Sequence, residues 1–262
     1  MCGIAGYSLD ADSGVDRTLA AQALLAGIAE RGADAVGYAH RGAGPQVTIH
    51  KQQSGATALL GDIELPDDAT DVLVHVRDYT KGHPTIQANN HPIRHGSVVG
   101  IHNGIIVNDE EIFARYGLEH AEPEMTVDSE AIFALMDATR SYHASLEELR
   151  GAMATAWIDE RAPSGMHLAR GVARPLWIGR ARREFFFAST KSALEVVERS
   201  LRLTLRKREV SEGRLLQIEQ GRILAETRFR LDRSYREDDV LPSVRTPHEG
   251  MSCLAKLATL AP

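Results

Sequence analysis

The chain has 262 residues, with 30 Lys and Arg against 36 Asp and Glu, and a formal net charge of −6. That balance disfavours bulk attraction to phosphate backbones or anionic lipid, so neither nucleic acid nor membrane is expected as a partner, and a small-molecule substrate fits better. Hydrophobic residues at 43% and charged residues at 25% disfavour disordered and fibrous classes and leave enough material for one sizeable core.

Two cysteines, Cys2 and Cys253, are too few for a disulfide framework and wrongly spaced for a structural zinc site. No apolar run reaches roughly 18 residues and the N-terminus lacks a basic stretch followed by an apolar region, so a cytoplasmic protein is expected.

In chain order, residues 2–9 (CGIAGYSL) read as an apolar strand broken by glycines. Residues 16–30 carry Ala21, Leu24, Leu25 and Ile28 at helical spacing, with Arg31-Gly32 as the stop. Strands are expected over 36–40 and 47–51 around a Gly-rich turn, and buried strands over 71–77 (DVLVHVR) and 97–106 (SVVGIHNGII). A polar loop holding His83, Pro84, Asn89, Asn90, His91 and Pro92 lies between the last two, a placement that often carries function.

Asn108 and Glu111 form a capping-box pattern for a short helix that Gly117 closes. Helical patterns follow over 130–138 and 145–153, the second with its own Ser145/Glu148 box. Strands then return over 155–159, 166–170, 176–181 and 184–188, with a helix over 191–201 and a hairpin over 215–226 turning at Gln220-Gly221. Strands and helices thus come in runs rather than in regular alternation, which predicts antiparallel sheets with segregated helices. Residues 1–230 read as one domain. From 231 to 262 patterning weakens and charge and proline dominate, so this stretch reads as a C-terminal tail, a docking element or partly disordered.

Chemistry concentrates at Cys2. Methionine is excised when the next residue is small, which would leave Cys2 with a free α-amine. An amine of pKa about 7.7 to 8.0 beside a thiol of about 8.5 places nucleophile and base on one residue. Further along stand Arg31-Gly32-Ala33-Asp34, His75-Val76-Arg77, His102-Asn103-Gly104-Ile105-Ile106 and Val127-Asp128-Ser129-Glu130, in that order. Read alone, Arg77 is a strand-end arginine, Asn103-Gly104 a hairpin turn and Asp128 a helix N-cap.

Taken together, the blocks resemble the class II glutamine amidotransferases, over about residues 2–227, with a weaker later block at Arg174-Pro175-Leu176 and Phe187-Ala188-Ser189. The resemblance implies an N-terminal-nucleophile (Ntn) hydrolase fold, a four-layer αββα sandwich of two antiparallel sheets flanked by helices. It implies Cys2 as nucleophile, the Asn103 side chain and Gly104 N–H as oxyanion hole, Arg77 on the substrate α-carboxylate and Asp128 on its α-ammonium. Thr80 and Gly82 fall where the family contacts glutamine, and Arg31 takes a supporting role.

The loop Arg77-Asp78-Tyr79-Thr80-Lys81 departs from the family pattern, and Asp78 stands where it could pair with Arg77 and compete for the carboxylate. No cofactor is implied. The histidines between positions 75 and 102 do not read as zinc ligands, because Pro92 breaks the one helical spacing, His91/His95. The basic run over 199–208 reads as a solvated strand or helix end.

The resemblance leaves three functions open: a glutaminase feeding ammonia to a separate synthase, a stand-alone hydrolase of another γ-glutamyl amide, and a non-catalytic regulatory homologue.

Overall fold

The computed structural model describes residues 2–237 and 242–260. One sheet, in spatial order, is β11 (Arg206–Glu209), β9 (Trp177–Arg180), β10 (Glu184–Ala188), β1 (Gly3–Leu9), β4 (Asp71–Arg77), β2 (Ala35–Arg41) and β3 (Val47–Gln52). The other is β13 (Arg222–Arg228), β12 (Arg214–Glu219), β8 (Met166–Arg170), β7 (Gly151–Asp159), β6 (Val98–Ile106) and β5 (Ile93–His95). Neighbouring strands within both sheets pair antiparallel.

The layers follow from the period-2 alternation of side chains along each strand. Between the sheets lie Ile4, Leu73, Val99, Ile101, Ala156, Leu168 and Phe187. The opposite parity on the first sheet, Ala5, Tyr7, Val72, Val74 and Val76, packs under α1 (Arg17–Ile28) and α6 (Lys191–Leu201). On the second sheet Val98, Ile106 and Trp157 pack under α4 (Glu130–Thr139) and α5 (Tyr142–Glu148). The result is helix, sheet, sheet, helix. Two short helices lie alongside these layers, α2 (Ala56–Leu60) beside the first sheet and α3 (Asp109–Tyr116) near α4.

Local signals explain most boundaries. Asp16 Oδ1 accepts from Leu19 N at 2.8 Å and starts α1. Gly117, in the left-handed conformation at φ 61°, ends α3. The α1–α6 crossing is close enough to require Gly27, where a Cβ would sit 2.8 Å from the Ala193 Cα.

Three expectations change. The helix expected over 145–153 is α5, which starts three residues earlier with Ser141 as N-cap and gives way to β7 at Gly151. Ser145 is buried inside it, its hydroxyl 2.8 Å from that of Thr139, and caps nothing. Asn108 does not cap α3 through its side chain. It bridges instead to the α5–β7 turn, accepting from Arg150 N at 2.8 Å and donating to Glu148 O at 2.9 Å.

The stretch 231–262 contains a helix, α7 (Pro247–Leu260), whose Gly250, Cys253 and Leu257 face inward, Cys253 and Leu257 joining the core beneath α1. Only one narrow stripe of this helix is apolar and buried, which is why its periodicity is weak in sequence.

Candidate active site

Strand parity gathers the candidate residues. Cys2 continues β1 on the side of Ile4, and the pairing of Gly3 with Val76 sets it beside Arg77 at the end of β4. His75 and Arg77 share the parity of Leu73, and Asn103 that of Val99 and Ile101, so all of them turn into the space between the sheets.

At that end of the sandwich Cys2, Arg77, Thr80, Gly104 and Asp128 line one narrow pocket together with Tyr79, Lys81, His91 and His102. A wider cleft bordered by Val15, Leu19, Glu184 and Arg202 lies elsewhere and contains none of the candidate residues.

Cys2 is half-buried, its Sγ 3.5 Å from the Asp78 carbonyl oxygen. Burial pushes its thiol up, against the pull of the nearby Arg77 charge. Arg31 is buried and donates from Nε to the Cys2 carbonyl at 2.9 Å, which ties down the residue's backbone.

Asn103 and Gly104 lie inside β6, paired with Ala154 and Met153, and do not form a hairpin turn. The Asn103 side chain is fully buried, and neither its Nδ2 nor its Oδ1 has a partner. A buried amide with both ends unpaired is costly and calls for an explanation. Gly104 has φ 149°, and a Cβ there would come within 1.8 Å of the Ala152 carbonyl oxygen, so only glycine fits.

Arg77 is buried, and burial lowers its pKa. It donates to Asn90 Oδ1 at 2.5 Å, to Lys81 O at 2.9 Å and to Gly82 O. Asp78 does not take it: the next residue along the chain points away, and Asp78 Oδ2 pairs with Arg245 Nε at 3.0 Å. Gly82 therefore meets Arg77 through its backbone, while Thr80 reaches the pocket wall.

Asp128 does not cap α4, whose N-cap is Ser129. Its carboxylate is buried, accepts from Ile106 N at 2.6 Å, and is pushed by burial up to about 6.

The sequence reading passed over a layer of uncharged polar groups behind these residues. His75 and His91 stack with ring centres 4.2 Å apart, and His75 Nε2 lies 3.1 Å from His102 O. His102 Nδ1 meets Ser129 Oγ at 2.9 Å. Burial lowers His75 and His102 to about 3 and His91 well below its ordinary value, so at neutral pH the layer carries no charge. The density of histidine between 75 and 102 was the visible signal, read only against metal binding. Among the described residues no group of three or more His, Cys, Asp and Glu is arranged to hold a metal ion.

Known proteins resemble this chain in sequence and in fold. The family model described as a glutamine amidotransferase domain matches residues 80–196. A glutamine-fructose-6-phosphate aminotransferase (isomerizing) of Campylobacter jejuni is 30% identical over 214 residues, 74% of this chain and 33% of its own length. The chain belongs to the class II glutamine amidotransferase family.

A second such aminotransferase, from Rhizobium meliloti, is 33% identical over 177 residues, 63% of this chain and 28% of its own. The chain thus spans about a third of the length of these curated relatives. In fold, glutamine phosphoribosylpyrophosphate amidotransferase of B. subtilis superposes with a TM-score of 0.70 at 23% identity, covering 87% of this chain and 49% of that one. A glutamine aminotransferase class-II domain protein of Silicibacter pomeroyi gives 0.55 at 16%, covering 87% and 100%. The two antiparallel sheets between helices are the Ntn-hydrolase sandwich of class II amidotransferases. No helix among the described residues is long and apolar enough to cross a membrane.

Proposed function

We propose that the chain hydrolyses the side-chain amide of glutamine through Cys2 and supplies the ammonia to a separate synthase. The observation that carries this reading is Asn103: a fully buried amide without hydrogen-bond partners, next in the chain to Gly104, which lines the pocket with Cys2 although Asn103 itself does not. Its Nδ2, with the Gly104 N–H, would donate to the oxyanion as the tetrahedral intermediate forms, an effect on the order of 3 kcal/mol per donor in acyl transfer.

The base follows by comparison of the groups at hand. His75 and His102, lowered to about 3, are poor proton acceptors near neutral pH. The α-amine of Cys2, once Met1 is removed, lies nearer the ambient pH and serves instead. It takes the thiol proton as sulfur attacks the amide carbon and passes it to the departing ammonia. Water then attacks the thioester, and glutamate leaves.

The bidentate fork of Arg77 suits the substrate α-carboxylate, which would displace the Lys81 and Gly82 carbonyls now on Nη2. Asp128 receives the α-ammonium, whose charge restores the carboxylate that burial disfavours. Arg31 holds the Cys2 backbone, Thr80 lines the pocket, and Gly82 meets Arg77 through its carbonyl.

The test is direct: glutamate and ammonia release from glutamine by the purified chain, wild type against Cys2→Ala, alone and with a candidate synthase. Turnover that survives Cys2→Ala refutes the mechanism. Another γ-glutamyl amide cleaved faster than glutamine refutes the substrate.

A further inference from the structure

Residues 243–246 run past the nucleophile and touch both groups that hold it. Ser243 O accepts from Arg31 Nη1 at 3.4 Å, and the same guanidinium donates from Nε to the Cys2 carbonyl. Arg245 Nε pairs with Asp78 Oδ2 at 3.0 Å, and the Asp78 carbonyl oxygen faces the Cys2 Sγ at 3.5 Å.

The segment is itself anchored. Arg245 N and Thr246 N both donate to Glu30 O, at 2.8 and 2.9 Å, and Thr246 Oγ1 donates to Ala29 O at 3.2 Å. α7 follows at once and sinks Cys253 and Leu257 into the core. Fixed at its root, Arg245 reaches out to a loop residue one peptide beyond the substrate-facing Arg77.

We propose that Arg245 is a positioning residue for the Cys2 thiol, acting through Asp78. The ion pair is partly exposed, with side-chain exposures of 38% and 22%, so it adds little to global stability. Its effect is local. It holds the Asp78 side chain outward, which keeps the loop backbone turned with its carbonyl toward sulfur and leaves Arg77 to point into the pocket. Arg77 and Arg31, also near the thiol, have partners of their own. Through this contact a segment outside the sandwich layers sets the rest position of the nucleophile.

The inference rests on Cys2 as the nucleophile, and its test is chosen to separate the two claims. The rate of Cys2 alkylation by iodoacetamide is followed by peptide mapping in wild type, Arg245→Gln, Arg245→Lys, Asp78→Asn and the double variant Asp78→Asn/Arg245→Gln. Freed from its carbonyl partner, Cys2 should react about two- to fivefold faster in Arg245→Gln, the factor a partly exposed ion pair carries. Arg245→Lys should stay near wild type, and Arg245→Gln should change nothing further in the Asp78→Asn background.

Glutamine turnover should move the other way, kcat falling by about the same factor with KM unchanged. Three results overturn the proposal: an unchanged alkylation rate, an Arg245→Gln effect that persists without Asp78, or labelling of Cys253, which would mean that α7 had undocked. If wild type cleaves no glutamine while the alkylation coupling holds, the proposed reaction fails and the positioning role stands.

Discussion

Arg77 donates to Asn90 Oδ1 at 2.5 Å, and Asn90 Nδ2 donates to Pro84 O at 2.8 Å, so a single amide ties the strand-end guanidinium to the loop that crosses the pocket. Replacing Asn90 with Ala removes an interaction with a charged group and should cost about 1.5–3 kcal/mol of stability in denaturant unfolding. Because the freed arginine loses its aim, KM for glutamine should rise more than kcat falls. Equal losses in kcat and kcat/KM, with KM unchanged, would place Asn90 in the chemical step instead.

Asn103 should behave in the opposite sense. Its amide makes no hydrogen bond in the resting structure, so Asn103→Ala forfeits none and leaves the melting temperature near wild type. Turnover should drop about 10²- to 10³-fold, through kcat, as expected for an oxyanion donor. A large loss of stability with modest loss of kcat would mark Asn103 as structural.

Asp128 carries a pH signature. Burial raises its carboxyl to about 6 in the folded chain, above the unfolded value of 3.8, so the folded state binds this proton more tightly. Its stabilising contribution is full below about pH 4 and is lost as pH rises through about 6, on the order of 3 kcal/mol in all. Asp128→Asn keeps an acceptor for Ile106 N and should flatten that slope between pH 4 and 7 relative to wild type in denaturant titrations. For catalysis the ionised form is the one that takes an ammonium, so kcat/KM should fall as pH drops below about 6.

Much of this was legible in the sequence because strand alternation is a strict code. Residues 71–77 and 97–106 read as buried strands, and alternation on them is what turns Arg77 and Asn103 inward from the two sheets. The blocks from Cys2 to Glu130 sufficed for the family.

What the sequence hid depends on contacts between distant segments. Asn103-Gly104 looks like a turn until β7 is known to pair along it. Asp128 looks like a cap until its carboxylate is seen on Ile106 N, and Asp78 looks like a rival for Arg77 until Arg245 arrives from a stretch with weak periodicity. The neutral histidine layer is invisible for the same reason: burial, not spacing, decides the charge of His75, His91 and His102.

The core role of α7 gives a prediction independent of catalysis. Leu257 is 4% exposed in the cluster beneath α1, and Leu257→Ala should destabilise by about 2–5 kcal/mol. The Cys253 thiol, pushed by burial up to about 12 and inert in the native fold, should become alkylatable as the helix loosens. Unchanged stability would show that α7 packs without contributing to the fold.

The most direct measurement is covalent labelling of the native chain with an electrophilic glutamine analogue, followed by peptide mapping. One adduct, on the Cys2 sulfur, blocked by excess glutamine and absent in Cys2→Ala, is the predicted result. An adduct on Cys253 in folded protein, or none at all, would contradict the assignment of Cys2 as the nucleophile of a glutamine-cleaving site.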